Sequence, residues 1–377
     1  MTDTARIAAL RQAHPVARIF QAPGRVNLLG EHTDYSGGFC LPAALTFNTL
    51  IAATPRADSI LTLHSLDFKT HAEFDLTALP PKGDGAWTAY PAGVAWVLQQ
   101  QGIALTGADL TLSGNVPLGA GLSSSASVEV ATATALLALA SHTLLKPEVA
   151  LLCQKAENQY VGANCGIMDQ FISANGVAGN ALALDTRDLT FELAPIPAHL
   201  TLVVANSMVS HSVAGGEYTT RRREVEEAAA AIGVPYLREA TLADLENSRT
   251  KMSDEAFHRA RHVITDSQRV LDGLAALRAG DTTRFGRLMT EAHVSYRDDF
   301  AASCAECDTL VDLALKLPGC LGSRLTGGGF GGCTVSLVEA DQAETFAAAL
   351  KSAYFEATKI TADVFLCATA DGAGEIV

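Results

Sequence analysis

The sequence predicts an α+β protein of two domains, and three observations lead there. At 377 residues the chain is longer than one ordinary hydrophobic core serves, so two domains are the default. Strand-like and helix-like stretches are mixed in both halves. They do not alternate strictly as strand–helix–strand units, which argues against a doubly wound parallel sheet. The boundary is placed between Gly179 and Leu200, dividing the chain into residues 1–190 and 191–377.

Residues 4–13 have the spacing of a short amphipathic helix, and Arg18–Leu29 alternates as a strand broken at Pro23-Gly24. Gly30-Glu-His-Thr-Asp-Tyr-Ser-Gly-Gly38 reads as a polar turn rich in ionisable side chains. Strand signals follow at Thr49–Thr54, Leu61–Ser65 and Ala72–Leu76, and Pro80–Gly85 is a loop. Pro91 opens a helix that Gly102 stops. Asp109–Ser113 is a strand feeding Gly114-Asn-Val-Pro-Leu-Gly-Ala-Gly-Leu-Ser-Ser-Ser-Ala126, which runs into an Ala/Leu helix ending near Ala140. That helix is too short, and too interrupted by Thr, Ser and Glu129, to span a bilayer, so it reads as a core helix. A helix from Pro147 to Tyr160 carries Glu157, and Gly162–Gln170 is a loop.

Strands return around Ala181–Leu193 and Leu200–Ala205. The second half is largely helical, over 217–232, 254–279, 281–301 and 304–316. It closes with Thr326-Gly-Gly-Gly-Phe-Gly-Gly-Cys-Thr334, a strand Thr334–Val338, a helix over 340–356 and a strand Val364–Ala368.

With 27 Lys and Arg against 41 Asp and Glu the net charge is −14, which argues against nucleic acid or an anionic membrane as partner. The N-terminus has no basic-then-apolar secretion pattern. Eight cysteines without framework spacing point to free thiols in a reducing cytoplasm.

Four stretches could carry chemistry. Gly119-Ala-Gly-Leu-Ser-Ser-Ser125 precedes a long helix, so unpaired N–H groups and the positive end of the helix dipole collect there to receive an anion. It lacks the lysine of a P-loop, so charge neutralisation falls to amides, serine hydroxyls and Mg²⁺; the same pattern also suits a serine N-cap on a buried helix. Arg25, Glu31, His32 and Asp34 lie together on a glycine-flanked turn, where carboxylates can each accept from two hydroxyls of a polyhydroxylated ligand; a solvated polar loop is the plainer alternative. Asp169 stands between Met168 and Phe171-Ile172, an apolar setting that demands a partner or a shifted pKa; it suits a base, an arginine partner, or a helix cap. Gly327-Gly-Gly-Phe-Gly-Gly332 matches G-x-G-x-x-G, but a strand follows where a dinucleotide site needs a helix, so close backbone approach explains it better.

Two weaker signals are set lower. Cys304-Ala-Glu-Cys307 has no second pair at zinc spacing, and Arg221-Arg-Arg223 is followed by Glu224, Glu226 and Glu227, which suggests local ion pairs.

Together these stretches resemble the motifs of the GHMP small-molecule kinase superfamily, and within it the galactokinases. Arg25-Val-Asn-Leu-Leu-Gly-Glu-His-Thr-Asp-Tyr35 resembles the N-terminal galactokinase motif, and Pro117–Ala126 the superfamily ATP loop. Leu325–Cys333 resembles the C-terminal motif, and Cys165-Gly-Ile-Met-Asp-Gln170 the catalytic-aspartate segment. Their order extends the likeness over essentially the whole chain. Leu29 stands where isoleucine is usual, and Cys307 at a position usually apolar.

The resemblance implies an N-terminal domain similar to domain 2 of ribosomal protein S5, a ferredoxin-like C-terminal domain, and a cleft between them. It implies Mg²⁺- and ATP-dependent phosphorylation of the C1 hydroxyl of D-galactose by a cytoplasmic enzyme, acting as a monomer. By the same resemblance Asp169 and Arg25 are catalytic. Glu31, His32, Thr33, Asp34, Gly166 and Tyr218 bind the sugar. Gly119, Ala120, Gly121, Leu122, Ser123, Ser124 and Ser125 hold ATP, Ser125 and Glu157 ligate the metal, and Trp87 neighbours the nucleobase. The rivals are a relative acting on N-acetylgalactosamine or arabinose, and a non-catalytic sugar sensor; the intact Glu31–Asp34 turn and serine run favour the galactose enzyme.

Overall fold

The computed structural model of the chain describes residues 3–83, 86–210 and 214–376. The expected loop Pro80–Gly85 therefore ends on residues 84 and 85, outside that set. The N-terminal half runs α1 (Asp3–Ala13), β1 (Arg18–Asn27), β2 (Phe39–Cys40), β3 (Pro42–Pro55), β4 (Ile60–Ser65) and β5 (Thr70–Asp75). It continues with α2 (Ala89–Gln100), β6 (Ala108–Gly114), α3 (Ser124–Leu139), α4 (Lys146–Ala156), a π-helical turn at Glu157–Val161, α5 (Met168–Asn175) and β7 (Asn180–Asp185). The remainder is β8 (Phe191–Pro195), β9 (Leu200–Ser210), α6 (Ala214–Ile232), α7 (Leu242–Asn247), α8 (Asp254–Arg278), α9 (Thr282–Asp298) and α10 (Ala305–Ala314). After these come β10 (Cys320–Leu325), β11 (Gly331–Glu339), α11 (Ala343–Thr358), β12 (Asp363–Cys367) and β13 (Gly374–Ile376).

The architecture is α+β. A six-stranded sheet has the order β13-β1-β3-β6-β4-β5, with every pair antiparallel except β4 and β6. Helices α2 to α5 cover it, and their Ala- and Leu-rich faces form one core with Phe20, Ile51, Leu63, Leu110, Val130, Leu136 and Phe171. A four-stranded antiparallel sheet, β10-β11-β9-β12, takes α10 and α11 against Val203, Ala205, Leu310, Phe346 and Leu350. A further core joins the two sheets: Val26, Leu28 and Leu29, at and just beyond the end of β1, meet Leu202 and Val204 of β9 and Phe285 of α9. A small third sheet, β2-β7-β8, contains a hairpin whose strands lie on either side of residue 190. Among the described residues no helix is long and apolar enough to cross a membrane.

Where structure and expectation differ, the cause is local. The strand expected to break at Pro23-Gly24 continues through it as β1, absorbing the missing proline N–H in a register shift against β3 between Pro23 and Arg25. A Cβ on Gly24 would stand 2.6 Å from the Leu122 carbonyl, so the glycine lets the loop before α3 lie on this strand. Segment 181–193 divides into the strands β7 and β8 rather than continuing as one. The stretch up to Gln170, read as loop, already turns helical at Met168.

Candidate active site

The glycine–serine loop takes its shape from backbone that side chains resist: Gly119, Gly121 and Ser123 all have positive φ, at 65°, 76° and 62°. Ser123 is the N-cap residue of α3, but its hydroxyl does not cap the helix. It donates instead to Asp169 Oδ2 at 2.5 Å. Ala120 and Leu122 are buried, whereas Gly119 and Gly121 are exposed and Ser124 and Ser125 half-buried.

Arg25, at the bulge of β1, reaches across to the same carboxylate. Its Nε donates to Asp169 Oδ1 and its Nη2 to Asp169 Oδ2, each at 2.9 Å, while Nη1 donates to the Gly121 carbonyl. The Arg25 backbone N–H is itself held by the Leu122 carbonyl at 3.0 Å. Asp169 lies in the first turn of α5, not at its cap, so its carboxylate is free to face the cleft. The arginine is nearly buried and the aspartate a quarter exposed, the geometry of a strong, planar two-bond fork.

Beside this fork is a cavity of about 430 Å³ lined by Arg25, Glu31, His32, Asp34, Gly166, Asp169 and Tyr218, among others. Asp34 accepts from the Met168 N–H at 3.2 Å, and burial, with Asp169 nearby, pushes its carboxyl up to about 6. Gly166 allows this: a Cβ there would fall 1.8 Å from Asp34 Oδ2. Glu31 accepts from the Gly327 N–H at 2.8 Å and faces the fully buried Arg324 at 3.6 Å; burial outweighs the arginine and pushes Glu31 up to about 7.

His32, in the left-handed region at φ 56°, is wedged among Phe300, Tyr218, Tyr35 and Tyr296, with centroids 4.4 to 5.7 Å away. Burial pushes it down to about 3, so the ring is neutral. The Gly328 carbonyl at 3.3 Å can only accept, which assigns the proton to Nε2 and leaves Nδ1 to accept from the Tyr35 hydroxyl at 3.0 Å. Both ring nitrogens are thus occupied, and a ligand hydroxyl reaches His32 only by displacing one partner. Thr33 does not line the cavity: its hydroxyl donates to the carbonyls of Gly30 and Phe39 at 2.9 and 2.6 Å, tying the turn together.

A second cavity of about 270 Å³ lies on the other side of the α3 N-terminus, lined by Phe68, Trp87, Tyr90, Leu118, Ser124 and Ser125, among others. Ser125 hydrogen-bonds to Glu157, which also accepts from the Cys165 thiol at 3.4 Å and from Gln170 Nε2 at 2.5 Å. Glu157 sits on the π-helical turn that extends α4, an irregularity that aims its carboxylate toward the serine run. Burial and the charge of Asp169 push its pKa up.

Asp266 and Gln170 hold the site, although the sequence assigned neither a role. Asp266 of α8 is fully buried and accepts from the N–H groups of Gly30 and Glu31 at 2.8 and 3.0 Å. Gln170 donates to both Glu157 and the buried Glu129. The glycine-rich C-terminal turn packs backbone on backbone against the serine loop; a Cβ on Gly327 would meet the Gly121 carbonyl at 2.8 Å. That turn is followed by β11, as expected, with no helix for a dinucleotide.

Comparison with known proteins converges on one family. The galactokinase galactose-binding signature matches residues 10–55, the GHMP kinases N terminal domain residues 89–177, and the GHMP kinases C terminal domain residues 274–357. The galactokinase of Roseiflexus sp. is 43% identical, covering 100% of this chain and 98% of its own, and that of Chloroflexus aggregans 46%, covering 95% and 93%. The crystal structure of Lactococcus lactis galactokinase complexed with galactose superposes with a TM-score of 0.94 at 31% identity, over 99% of both chains. Methanococcus jannaschii mevalonate kinase shares the fold, with a TM-score of 0.67 at 19% identity over 95% of this chain and 100% of its own.

Proposed function

The chain belongs to the galactokinase family of the GHMP kinases, and we propose from its geometry how it transfers the ATP γ-phosphoryl group to galactose. The acceptor is the C1 hydroxyl of D-galactose, and the products are galactose 1-phosphate and ADP. The observation that carries this reading is the Arg25–Asp169 fork, joined through Ser123 to the serine loop and opening on a carboxylate-lined cavity.

In this scheme the sugar lies in the 430 Å³ cavity with its hydroxyls on Glu31 and Asp34 and its ring against Tyr218. Gly166 keeps the Asp34 carboxylate in place, and His32 and Thr33 shape the turn. The triphosphate lies along Gly119–Ser125, where the α3 dipole and the loop amides face it, and the base enters the slot beside Trp87. Asp169 receives the C1–OH proton as the new O–P bond forms and the bond between the γ-phosphorus and the β,γ-bridging oxygen of ATP breaks. A carboxylate is a weak base toward a sugar hydroxyl, so proton acceptance falls late along the reaction. Arg25 holds the ionised carboxylate and stabilises charge on the transferring group.

Ser125 and Glu157 are hard oxygen donors that already hydrogen-bond to each other, a pair suited to Mg²⁺ that leaves most of an octahedral shell to phosphates and water. When bound, Mg²⁺ supplies neutralisation of phosphate charge. Residues 1–190 would provide the nucleotide loop and most of the sugar site, and 191–377 Tyr218 and the glycine-rich turn. All eight cysteines are free thiols, which suits a reducing cytoplasm, and the enzyme is proposed to act there as a monomer. The test is galactose- and Mg²⁺-dependent ADP release with the phosphorylated carbon identified by ³¹P–¹³C coupling. Phosphate on any carbon but C1, or ADP release indifferent to galactose, overturns the reading.

A further inference from the structure

The Cys-x-x-Cys pair that looked inert in the sequence is the one cysteine arrangement in the fold built for thiol chemistry. Cys304 is the N-cap of α10 in extended conformation, φ −141° and ψ 162°, and Cys307 lies one turn on. Cys304 is half-buried and reachable, whereas Cys307 is fully buried. The Cys307 thiol lies behind Cys304 on the same helix and donates weakly to the Gly332 carbonyl at 4.0 Å. This order, an accessible sulfur at a helix N-terminus with a buried thiol one turn behind it, gives a nucleophile and a resolving group.

The other cysteines lack it. Cys165, near Glu157 and Asp169, and the buried Cys40 and Cys153 are held well above the usual thiol range by burial, and Cys320 and Cys367 are pushed up to about 11 and 12. Cys333 is raised as well, again by burial. Cys304 is the one shifted the other way, to about 7, chiefly by the Cys307 thiol and against the neighbouring Glu306.

We propose that Cys304 and Cys307 form a dithiol site that is oxidised by small-molecule disulfides to an intramolecular disulfide. The Cys304 thiolate attacks one sulfur of the disulfide R–S–S–R, forming a mixed disulfide and releasing R–S⁻, which takes up the proton that Cys304 lost. Cys307 then gives up its proton and attacks the Cys304 sulfur, expelling the second R–S⁻, which takes that proton. Two electrons leave the pair and reduce R–S–S–R to two R–SH.

Closing the bond draws the Cys304 sulfur inward, and the segment before it packs behind His32, which lines the cavity. The Phe300 ring lies 4.4 Å from His32. The carbonyls of Phe300 and Ala301 hold Arg221 at 3.0 Å each, and that of Ala302 holds the Phe330 N–H at 2.7 Å. Oxidation therefore loosens the wall behind the sugar. This coupling rests on the proposed sugar pocket, whereas disulfide formation does not, and the two are read separately.

The intact enzyme is equilibrated with oxidised and reduced glutathione, acid-quenched, alkylated and digested with trypsin, which releases both cysteines on one peptide, residues 298–316. The expected result is that this peptide loses two hydrogens while Cys165 still takes up the alkylating agent. Cys304→Ser should abolish the change, and Cys307→Ser should stall at the glutathione adduct of Cys304. Both cysteines staying alkylatable under fully oxidised glutathione, or Cys165 reacting first, overturns the site. In parallel, oxidised wild-type enzyme should show a galactose KM raised about threefold or more, with the ATP KM unchanged and dithiothreitol restoring the galactose KM. An unchanged galactose KM in fully oxidised enzyme overturns the coupling while leaving the disulfide assignment to the peptide result.

Discussion

Arg25 and Asp169 stand 144 positions apart in the chain and meet through two parallel hydrogen bonds of 2.9 Å, one from Nε and one from Nη2. The fork positions the carboxylate without withdrawing it from the cleft, because its remaining bond comes from Ser123 of the nucleotide loop.

Replacing Asp169 by alanine removes the proton acceptor and leaves Arg25 without its fork. Turnover should fall by at least ~10³-fold, with ATP affinity retained in a fluorescence titration. A variant within tenfold of the parent leaves Asp169 no role as base.

Gly166→Ala tests the sugar cavity without touching charge. The new methyl would have to displace the Asp34 carboxylate, 1.8 Å from where it would lie. An overpacking cost of this kind corresponds to roughly a tenfold rise or more in galactose KM, with the ATP KM little changed. Equal effects on both constants would place the strain elsewhere than the sugar pocket.

Asp34 and Glu31 make the ligand-free protein sensitive to pH. Both are raised mainly by burial, to about 6 and about 7. Their folded values exceed the unfolded ones, ~3.9 and ~4.3, so the native state binds more protons between those limits. Stability is therefore fully present below about pH 4 and is lost as pH rises through about 7. The Tm measured without galactose should decline over that range, and the decline should flatten in Asp34→Asn and Glu31→Gln. Because ionised carboxylates accept hydroxyl hydrogen bonds better, galactose affinity should run the other way and strengthen from pH 5 to 7.5, as calorimetry can check.

Asp266 is a support for the turn rather than a ligand. Asp266→Ala strands the Gly30 and Glu31 N–H groups and Arg269 and should cost about 3 kcal/mol in urea unfolding. Asp266→Asn, which keeps an acceptor in place, should recover part of that loss; identical losses would mean the carboxylate's shape is irrelevant.

Glu157→Gln should raise the Mg²⁺ concentration needed for half-maximal rate and weaken Mn²⁺ binding in the presence of ADP, read by electron paramagnetic resonance. Unchanged Mn²⁺ binding removes Glu157 from the metal.

The parts of the fold and candidate site that were legible in the sequence announce themselves by composition. Glycine and serine before an alanine-rich helix, and acids grouped on a glycine-flanked turn, leave a local signature. The rest depends on partners far along the chain. Nothing local reveals that Gly24 is a glycine to admit the Leu122 carbonyl, so β1 looked broken there. Strand β10 was not among the expected strands; its Gly322 packs on α9, where a Cβ would meet the Gly286 carbonyl at 2.0 Å. Asp266 and Arg324 look like surface charges until helix and strand bury them behind the turn that carries Glu31. Gln170 sits beside Asp169 in sequence but faces the opposite way, toward Glu129 and Glu157.

The bond from Ser123 to Asp169 has a consequence for blocking this enzyme. A compound filling only the aromatic slot beside Trp87 leaves that clasp shut and should compete with ATP while barely altering how tightly galactose is held. One that also carries an anionic group opposite Ser123 pulls the hydroxyl away and frees the carboxylate for the sugar, so it should tighten galactose binding. Inhibitors of the two kinds would thus be sorted by their cooperativity with galactose, before any of them is seen bound.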